Sequence, residues 1–172
     1  MDLIRPIKLS DLPALTALYN YYVRETPITL DLHEQTLEQR KAWLHSFAQT
    51  GRYRCFVAER DGETVGWAST HVYNPRPGYD ATVASSIYLA PQATAQGLGR
   101  RLYMALFEAL AGEDIHCIFG GITLPNAASV SLHQAFGFQP VGVYPQVGRK
   151  FGRFWDVGTF LKPFGNGAAG GT

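Results

Sequence analysis

The sequence predicts an α/β fold with a mixed central sheet and helices on both of its faces. Apolar segments of strand-like composition alternate with amphipathic helical segments along the 172 residues. Asp61-Gly62 lies between two strand-like segments, which is the signature of an antiparallel hairpin. Strand-helix-strand units follow in the second half of the chain. A sheet that combines such units with hairpins contains both parallel and antiparallel neighbours.

Composition limits the possible functions. A chain of this length is sufficient for one domain with a real core, which we place at residues 1–164, followed by a disordered tail over residues 165–172. The net charge of +1 gives no electrostatic basis for binding nucleic acid or a membrane surface. No apolar segment is long enough to span a bilayer, and the N-terminus lacks an apolar signal core. We therefore expect a cytoplasmic protein.

The two cysteines and five histidines have no metal-ligand spacing. Cys55 and Cys117 are isolated from each other in predicted strands, so we expect two reduced, buried thiols rather than a disulfide. We expect no metal in this protein.

Local signals place the elements of the first half of the chain. Ser10 is predicted to cap a first helix that ends near Arg24. A second helix is predicted to begin near residues 31–36, where Asp31 and Glu34 have capping-box spacing. Its side chains that we expect to face inward are Leu37, Leu44 and Phe47. Strands are predicted at residues 3–6, 53–59, 65–73, 82–89, 116–123, 142–144 and 155–161.

A strand, a glycine loop and an amphipathic helix follow one another in residues 85–110. Pro91 ends the strand, and Gly97 and Gly99 lie in the loop. One helix face carries Leu98, Leu102, Ala105, Leu106 and Ala109. Unpaired N–H groups at the start of a helix, with Arg100 and Arg101 beside them, form a candidate pyrophosphate cradle. A tight strand-to-helix turn is the alternative interpretation.

The loop matches neither of two common phosphate-binding motifs. The Gly-Lys-Ser/Thr sequence of a P-loop is absent, and Leu102 stands where a dinucleotide fingerprint has its third glycine. A second motif lies further along the chain, where Asn126 is predicted to cap a short helix that Gly137 ends.

The two motifs together, at this spacing, resemble the GCN5-related N-acetyltransferase (GNAT) family. The stretches NPRPGYD, SSIYL and TLPN and the closing VGRKFGRFWDVG are similar to its phosphinothricin and methionine sulfoximine acetyltransferase branch. The resemblance covers roughly residues 2–164. It implies the GNAT fold, with a mixed, mostly antiparallel central sheet, and a homodimer whose acceptor site lies near the subunit interface.

The resemblance implies that acetyl-CoA is the cosubstrate and that no metal takes part. Backbone groups of the strand before the glycine loop would pair with the pantetheine arm, the loop amides would bind the pyrophosphate, and Asn126 would meet the pantetheine end. The implied cofactor-binding residues are Ile87, Tyr88, Leu89, Ala95, Gln96, Gly97, Leu98, Gly99, Arg100 and Asn126.

The implied reaction is direct attack of a neutral amine on the thioester. The acceptor would be the amino group of a small amino acid or analogue, with Arg76 as the partner of its carboxylate. The residues implied for acceptor binding are Thr29, Leu30, Arg76, Ser85 and Ser86. His133 would lie near the sulfur as an acid for the leaving thiolate, and Tyr88 is a further catalytic candidate.

Two positions depart from the pattern of this branch. Thr94 replaces a Gln or Arg, so Arg100 or Gln96 would have to supply the lost phosphate contact. Ala84 replaces a Glu that helps to deprotonate the amine, and alanine has no proton acceptor. His133 is one substitute base, and Tyr88 or His71 acting through water are others.

Ala84 leaves two alternatives open beside the function above. One is an N-acetyltransferase for a different amine, although no acid-rich stretch lies near the candidate loops to receive a polycation. The other is an acetyl-CoA-binding protein that has lost its catalysis.

Overall fold

The computed structural model describes residues 2–165, which form one seven-stranded sheet with helices packed on it. The strands are β1 (Asp2–Pro6), β2 (Cys55–Arg60), β3 (Glu63–Val72), β4 (Thr82–Leu89), β5 (Cys117–Leu124), β6 (Gln139–Lys150) and β7 (Arg153–Pro163). The helices are α1 (Leu12–Glu25), α2 (Leu37–Leu44), α3 (Leu98–Ala109) and α4 (Ala127–Ala135). The predicted disorder of the tail concerns residues that, apart from Gly165, lie outside this range.

The sheet order is β1-β2-β3-β4-β5-β7-β6. Within it, only β4 and β5 pair in parallel, and all the other described neighbours are antiparallel. This confirms the mixed, mostly antiparallel sheet. The predicted Asp61-Gly62 hairpin joins β2 to β3, and both residues have positive φ, as the tight turn requires.

Alternate side chains of β4 meet different helices. Tyr88 packs against Tyr19 of α1, with ring centroids 5.5 Å apart. Ser85 has its hydroxyl 3.4 Å from that of Tyr103 on α3. Because Ser85 and Tyr88 are three residues apart on a strand, they point to opposite faces. Helices α1 and α2 therefore lie on one face of the sheet, and α3 and α4 lie on the other.

The two parallel strands separate soon after they meet. Their pairing is confined to Thr82–Ala84 of β4 and Cys117–Phe119 of β5, although each strand has eight residues. β5 instead pairs along its whole length with β7. A wedge therefore opens between the carboxyl ends of β4 and β5.

Two predicted caps are wrong. Residues Leu9–Asp11 form a 3-10 turn, so α1 begins at Leu12 after Asp11 rather than at Ser10. The capping box of α2 is formed by Thr36 and Gln39. Asp31 and Glu34, predicted for that role, instead accept hydrogen bonds from Tyr19 and Arg24. A hydroxyl or a cation from another element competes successfully for these carboxylates.

Of the three side chains predicted to face inward near α2, Phe47 packs against the hydrophobic core, but Leu37 does not. Leu37 is 55% exposed, whereas Arg40 is only 4% exposed and packs over Trp43. Strand β6 is also much longer than the predicted residues 142–144, because it pairs with β7 nearly to its end. Its two prolines, Pro140 and Pro145, hid this strand in the sequence, but an edge strand tolerates them.

The N-terminal elements are tied together by a buried carboxylate. Asp11, 4% exposed, accepts hydrogen bonds from Arg5 (2.7 and 2.8 Å), from the Lys8 amide (2.8 Å) and from the Thr64 hydroxyl (3.0 Å). Arg5 also donates to Glu59 at 2.9 Å. Burial alone would raise the pKa of Asp11, but these hydrogen bonds outweigh it and hold the pKa below its usual value.

We predict that Asp11→Ala lowers the free energy of unfolding by about 3 kcal/mol, because it leaves the mostly buried Arg5 with only one carboxylate partner. Asp114→Ala is the matched control, since that carboxylate is 88% exposed and its pair with Arg52 is long, at 3.7 Å. The control should change stability by less than about 0.5 kcal/mol. Urea unfolding measures both, and equal midpoints for the two variants would contradict the role given to Asp11.

Candidate functional site

The glycine loop presents a series of free backbone donors. Ala95 and Gly97 both have positive φ, and α3 begins directly after Gly97. Within residues 2–165, the amides of residues 95–100 donate no hydrogen bond to the chain, whereas the next amide, that of Arg101, donates to Gly97 O. Successive free amides at the start of a twelve-residue helix form a concave anion site.

Arg100 is the cation available at this loop. Its side chain is exposed, with the guanidinium 5.7 Å from the centre of the Phe136 ring. Arg101 is held by Asp2, whose carbonyl oxygen lies 2.9 Å away. The Gln96 side chain is also occupied, because its oxygen accepts from Arg60 at 2.7 Å and its nitrogen donates to a backbone carbonyl. Arg100 is therefore better placed than Gln96 to supply the contact that Thr94 lacks.

A groove leads from the glycine loop to α4. It encloses about 360 Å³ and is lined by Ile87 and Leu89 of β4, by the loop, and by Asn126 and Leu132. Gly99 makes the close packing of this groove possible, since a Cβ there would lie 3.2 Å from the Leu132 side chain. The groove thus joins the two sequence motifs.

The wedge between β4 and β5 forms the end of this groove. It is lined by residues 85–88 of β4 and 121–123 of β5, together with Asn126 and His133. The Asn126 side chain accepts from the Ser129 amide at 3.1 Å, which confirms the predicted cap of α4. Beyond Ala84, β4 has no strand partner on its β5 side. The Leu89 carbonyl, at the far end of β4, accepts from the Tyr22 hydroxyl at 2.6 Å.

His133 is held inside the protein by both ring nitrogens. Nδ1 lies 2.8 Å from Ser129 O, which assigns the ring proton to Nδ1 because a carbonyl only accepts. Nε2 then accepts from the Tyr103 hydroxyl at 3.0 Å, and this hydroxyl is 3.4 Å from Ser85 Oγ. Burial lowers the pKa of His133 despite the Ser129 carbonyl. A hydrogen-bonded chain therefore runs from the neutral imidazole to Ser85 in the wedge.

A separate cavity of about 320 Å³ lies on the α1/α2 face, and we call it the acceptor cavity. Its lining residues are Tyr19, Asp31, Gln35, Arg40, Trp43, Trp67, Ser69, His71, Ser86 and Tyr88. Ser86 and Tyr88 also line the wedge. The acceptor cavity and the groove therefore meet at the point where β4 leaves β5.

The register of β3 and β4 sets the floor of the acceptor cavity. Ser69 lies directly opposite Ser86, and His71 lies directly opposite Ala84. His71 therefore shares the cavity face with the position where the resemblance implies a missing carboxylate. Within the described residues its ring has no hydrogen-bond partner, and burial lowers its pKa. His71 is thus a neutral imidazole with a free ring nitrogen.

Tyr88 is held as a neutral phenol. Its ring stacks on Trp67 with centroids 4.7 Å apart, and it makes edge contacts with Tyr19 and Tyr22. Burial is the main cause that raises the pKa of Tyr88 far above its ordinary value. This side chain can donate a proton in a hydrogen bond, but it is a poor base.

The residues predicted for acceptor binding lie in four places. Ser86 faces the acceptor cavity, whereas Ser85 faces α3. Thr29 is buried, with its hydroxyl beside that of Tyr19. The next residue, Leu30, packs so tightly on Gly148 that a Cβ added to this glycine would clash with the Leu30 side chain. Arg76 lies on an exposed loop and lines none of the cavities described above. The structure thus brings Ser86 to the acceptor cavity and leaves Arg76 outside it.

Sequence reasoning missed two buried cations near the acceptor cavity. Lys150 is 4% exposed and donates to Thr29 O at 2.7 Å, which fastens the loop after α1 to β6. Arg40 lines the cavity itself. Arg40 and Trp43 are three residues apart on a helix, and this spacing is the signal that favoured a contact between them.

No helix among the described residues has the length and apolar character needed to cross a membrane. No three His, Cys, Asp or Glu side chains of residues 2–165 come together as a metal site would require.

Comparison with known proteins gives a consistent answer. The family model described as "Acetyltransferase (GNAT) domain" matches residues 4–158. A phosphinothricin N-acetyltransferase of Streptomyces coelicolor is 48% identical over 93% of this chain and 95% of its own length. An L-methionine sulfoximine/L-methionine sulfone acetyltransferase of Pseudomonas paraeruginosa is 35% identical over 92% of each chain.

Solved structures agree with these relatives. A putative acetyltransferase from Salmonella typhimurium, solved with its cofactor acetyl-CoA, superposes with a TM-score of 0.90 at 31% identity, over 98% of this chain and 96% of its own. A phosphinothricin acetyltransferase from Sinorhizobium meliloti in complex with acetyl-CoA gives a TM-score of 0.90 at 26% identity, over 99% of this chain and 92% of its own.

Proposed function

Because the chain belongs to the GNAT acetyltransferase family, we propose that it transfers the acetyl group of acetyl-CoA to the amino group of a small amino acid or analogue, of the phosphinothricin or methionine sulfoximine type. One observation carries the proposal. The wedge between β4 and β5 joins a groove that begins at an anion site to a separate cavity large enough for an amino acid.

The groove offers places for the pyrophosphate and for the pantetheine arm of acetyl-CoA, whose thioester supplies an activated acetyl group. The amides of residues 95–100, with Arg100, suit the pyrophosphate. The free edge of β4 at Ile87 and Tyr88 suits the amide groups of the pantetheine arm, and Asn126 lies at the inner end of the groove. The cofactor-binding residues remain those inferred from the sequence: Ile87, Tyr88, Leu89, Ala95, Gln96, Gly97, Leu98, Gly99, Arg100 and Asn126.

His71 is the proton acceptor that the acceptor cavity offers. In the proposed reaction the amine nitrogen forms a bond to the acetyl carbon, the carbon–sulfur bond breaks, and the amine proton leaves. His71, opposite Ala84, has an unpaired ring and a pKa that keeps it neutral, so it can take this proton directly or through one water. His133 already uses both nitrogens, and Tyr88 is a weak base.

Tyr88, and not the neutral His133, suits the opposite task, which is to donate to the departing thiolate. Tyr88 is a neutral phenol at the wedge. His133 reaches the wedge through the hydroxyls of Tyr103 and Ser85, but its Nε2 accepts from Tyr103 and carries no proton, so this chain can take a proton up from the wedge and cannot supply one.

The placement of His71 bears on the alternative functions. If Ala84 had simply removed the base, the protein would bind acetyl-CoA without turnover. The imidazole of His71 on β3 lies directly opposite Ala84 on β4 and provides a proton acceptor on the same face of the sheet. This favours an active enzyme. A polycationic acceptor is disfavoured because the cavity contains Arg40 as well as its one carboxylate, Asp31.

We also propose the wider setting of this enzyme. A single hydrophobic cluster supports one domain over residues 1–164. The free thiols of Cys55 and Cys117 suit the cytoplasm, and the net charge of +1 suits a protein without nucleic-acid or membrane partners. Exposed apolar side chains along the edge hairpin β6–β7 support a homodimer; they are Val141, Val143, Tyr144, Val147, Phe151 and Phe154.

Thiol release from acetyl-CoA against a panel of amines tests the proposed function. We expect turnover with phosphinothricin or methionine sulfoximine and none with a polyamine. Turnover confined to another amine would replace the acceptor class. Bound acetyl-CoA without thiol release from any amine would overturn the proposal and favour a binding protein.

We predict that Gly97→Asp weakens acetyl-CoA binding at least about 30-fold, because it adds strain at φ +78° and places negative charge at the phosphate site. Gly112→Asp is the matched control, since that glycine has φ +87°, equally open surroundings, and a position beyond the other end of α3. Isothermal titration calorimetry measures both affinities. Equal affinities in the two variants would exclude the glycine loop from the cofactor site.

We predict that His71→Gln lowers kcat/KM about 100-fold and removes the acid limb of its pH profile. Burial lowers the pKa of His71, so wild-type activity should fall as the pH drops through a value below 6.5, where the imidazole becomes protonated. The amine's own ionisation gives a separate limb at higher pH and should remain.

Two further variants make this prediction specific. His45→Gln, on the exposed surface, should retain the wild-type profile. Ala84→Glu should raise the rate of the His71→Gln enzyme, because it returns a proton acceptor to the opposite position on β4. If His71→Gln keeps the acid limb and His133→Gln loses it, His133 is the base instead.

A further inference from the structure

The acceptor cavity contains a buried cation without a counter-ion. Arg40 is 4% exposed, and its Nε and Nη2 atoms are buried without a hydrogen-bond partner among residues 2–165. Aromatic rings surround the guanidinium instead, with ring centres at 3.5 Å for Trp43, 4.9 Å for Tyr19 and 5.3 Å for Trp67. These contacts hold its position but leave its donors unused.

A buried guanidinium with free donors is costly, because a charge loses its hydration without receiving a partner. Burial lowers the pKa of Arg40 to about 10, so the group stays charged at neutral pH. The one carboxylate of the cavity, Asp31, makes no ion pair with it within the described chain and accepts from the Tyr19 hydroxyl at 2.6 Å. The described chain therefore gives Arg40 no hydrogen-bonded anion, and the charge of Asp31 acts on it only from a distance.

The two unpaired nitrogen atoms of Arg40, Nε and Nη2, indicate the kind of group that would complete this site. Nε–H and one Nη2–H of an arginine lie side by side and point the same way, which matches the two oxygens of a carboxylate. The same cavity extends to Ser86 and His71, so a ligand held at Arg40 can direct another group toward the wedge. The aromatic side chains that line the cavity form apolar walls between Arg40 and the wedge; they are Tyr19, Trp43, Trp67 and Tyr88.

We propose that Arg40 anchors the carboxylate of the acceptor amino acid through its guanidinium group. This inference rests on the proposed function and names the group that selects amino acids over simple amines. Arg76, to which the resemblance gives this role, lies on an exposed loop outside the cavity. Methionine sulfoximine carries one anionic group, its carboxylate, and is therefore the informative ligand.

The test compares methionine sulfoximine with its methyl ester, which keeps the amine and loses the anion. We expect the wild-type KM to be about 50-fold lower for the acid than for the ester, as a charged bidentate contact provides. Arg40→Gln should raise the KM for the acid by a similar factor, leave kcat nearly unchanged, and abolish the preference for the acid. Arg40→Lys should recover part of the preference for the acid over the ester.

Two controls separate this role from a structural one. Arg76→Gln should retain the preference for the acid, and loss of the preference in that variant alone would assign the anchor to Arg76 and overturn the proposal. Without ligand, Arg40→Gln should unfold at the same urea concentration as the wild type or a higher one, because it removes an uncompensated buried charge. A marked loss of stability together with a wild-type preference would show that Arg40 is structural only.

Calorimetric binding of methionine sulfoximine keeps the inference testable without turnover. Binding to the wild type but not to Arg40→Gln supports the anchor even if thiol release fails and the proposed reaction is wrong. Equal binding to both proteins, or none to the wild type, overturns the anchor even if the protein acetylates another amine.

Discussion

The structure depends on the early end of the pairing between β4 and β5. After Ala84 and Phe119 the two parallel strands diverge, and β5 keeps β7 as its partner along its full length. An unpaired strand edge inside a protein is unfavourable unless something satisfies its backbone groups. Here the edge borders a groove, so the fold keeps open a row of backbone groups that a ligand with amide groups can pair with.

The sheet divides the chemistry between its two faces. Because successive side chains of β4 alternate, Ser85 joins the hydrogen-bonded chain of Tyr103 and His133, while Ser86 and Tyr88 face the acceptor cavity. His133 and His71 therefore lie on opposite faces of the sheet, and of these two imidazoles only His71 has a free ring nitrogen in the acceptor cavity. The wedge is the point where both faces are accessible.

Three buried charged side chains of this protein have different roles, and the hydrogen-bond partners of each side chain distinguish these roles. Asp11 is paired with Arg5 and fixes the N-terminal elements. Lys150 donates to Thr29 O and fixes the loop beside the acceptor cavity. Arg40 alone among these three has unpaired donors, although it is equally buried. A cation that the fold positions but does not neutralise is best understood as prepared for an external anion.

The sequence by itself determined the order of the elements, the mixed sheet, the cap at Asn126 and the glycine loop. These features follow from local rules: periodicity, capping and turn chemistry act within a few residues of each other. Strand β4 was predicted with its observed bounds for the same reason, because Pro91 and the glycine loop mark its end.

Tertiary structure decided the hydrogen-bond partners, the burial and the strand register that sequence rules acting over a few residues do not predict. Asp31 and Glu34 had the spacing of a capping box, yet their carboxylates accept hydrogen bonds from Tyr19 and Arg24 instead. Local rules do not predict the burial of Arg40, because it depends on Tyr19 and Trp67, which are remote in sequence. The position of His71 across from Ala84 required the strand register, which pairs residues thirteen apart in the sequence. Contacts between elements set these outcomes, since side chains remote in sequence compete for the same partners only once the chain has folded.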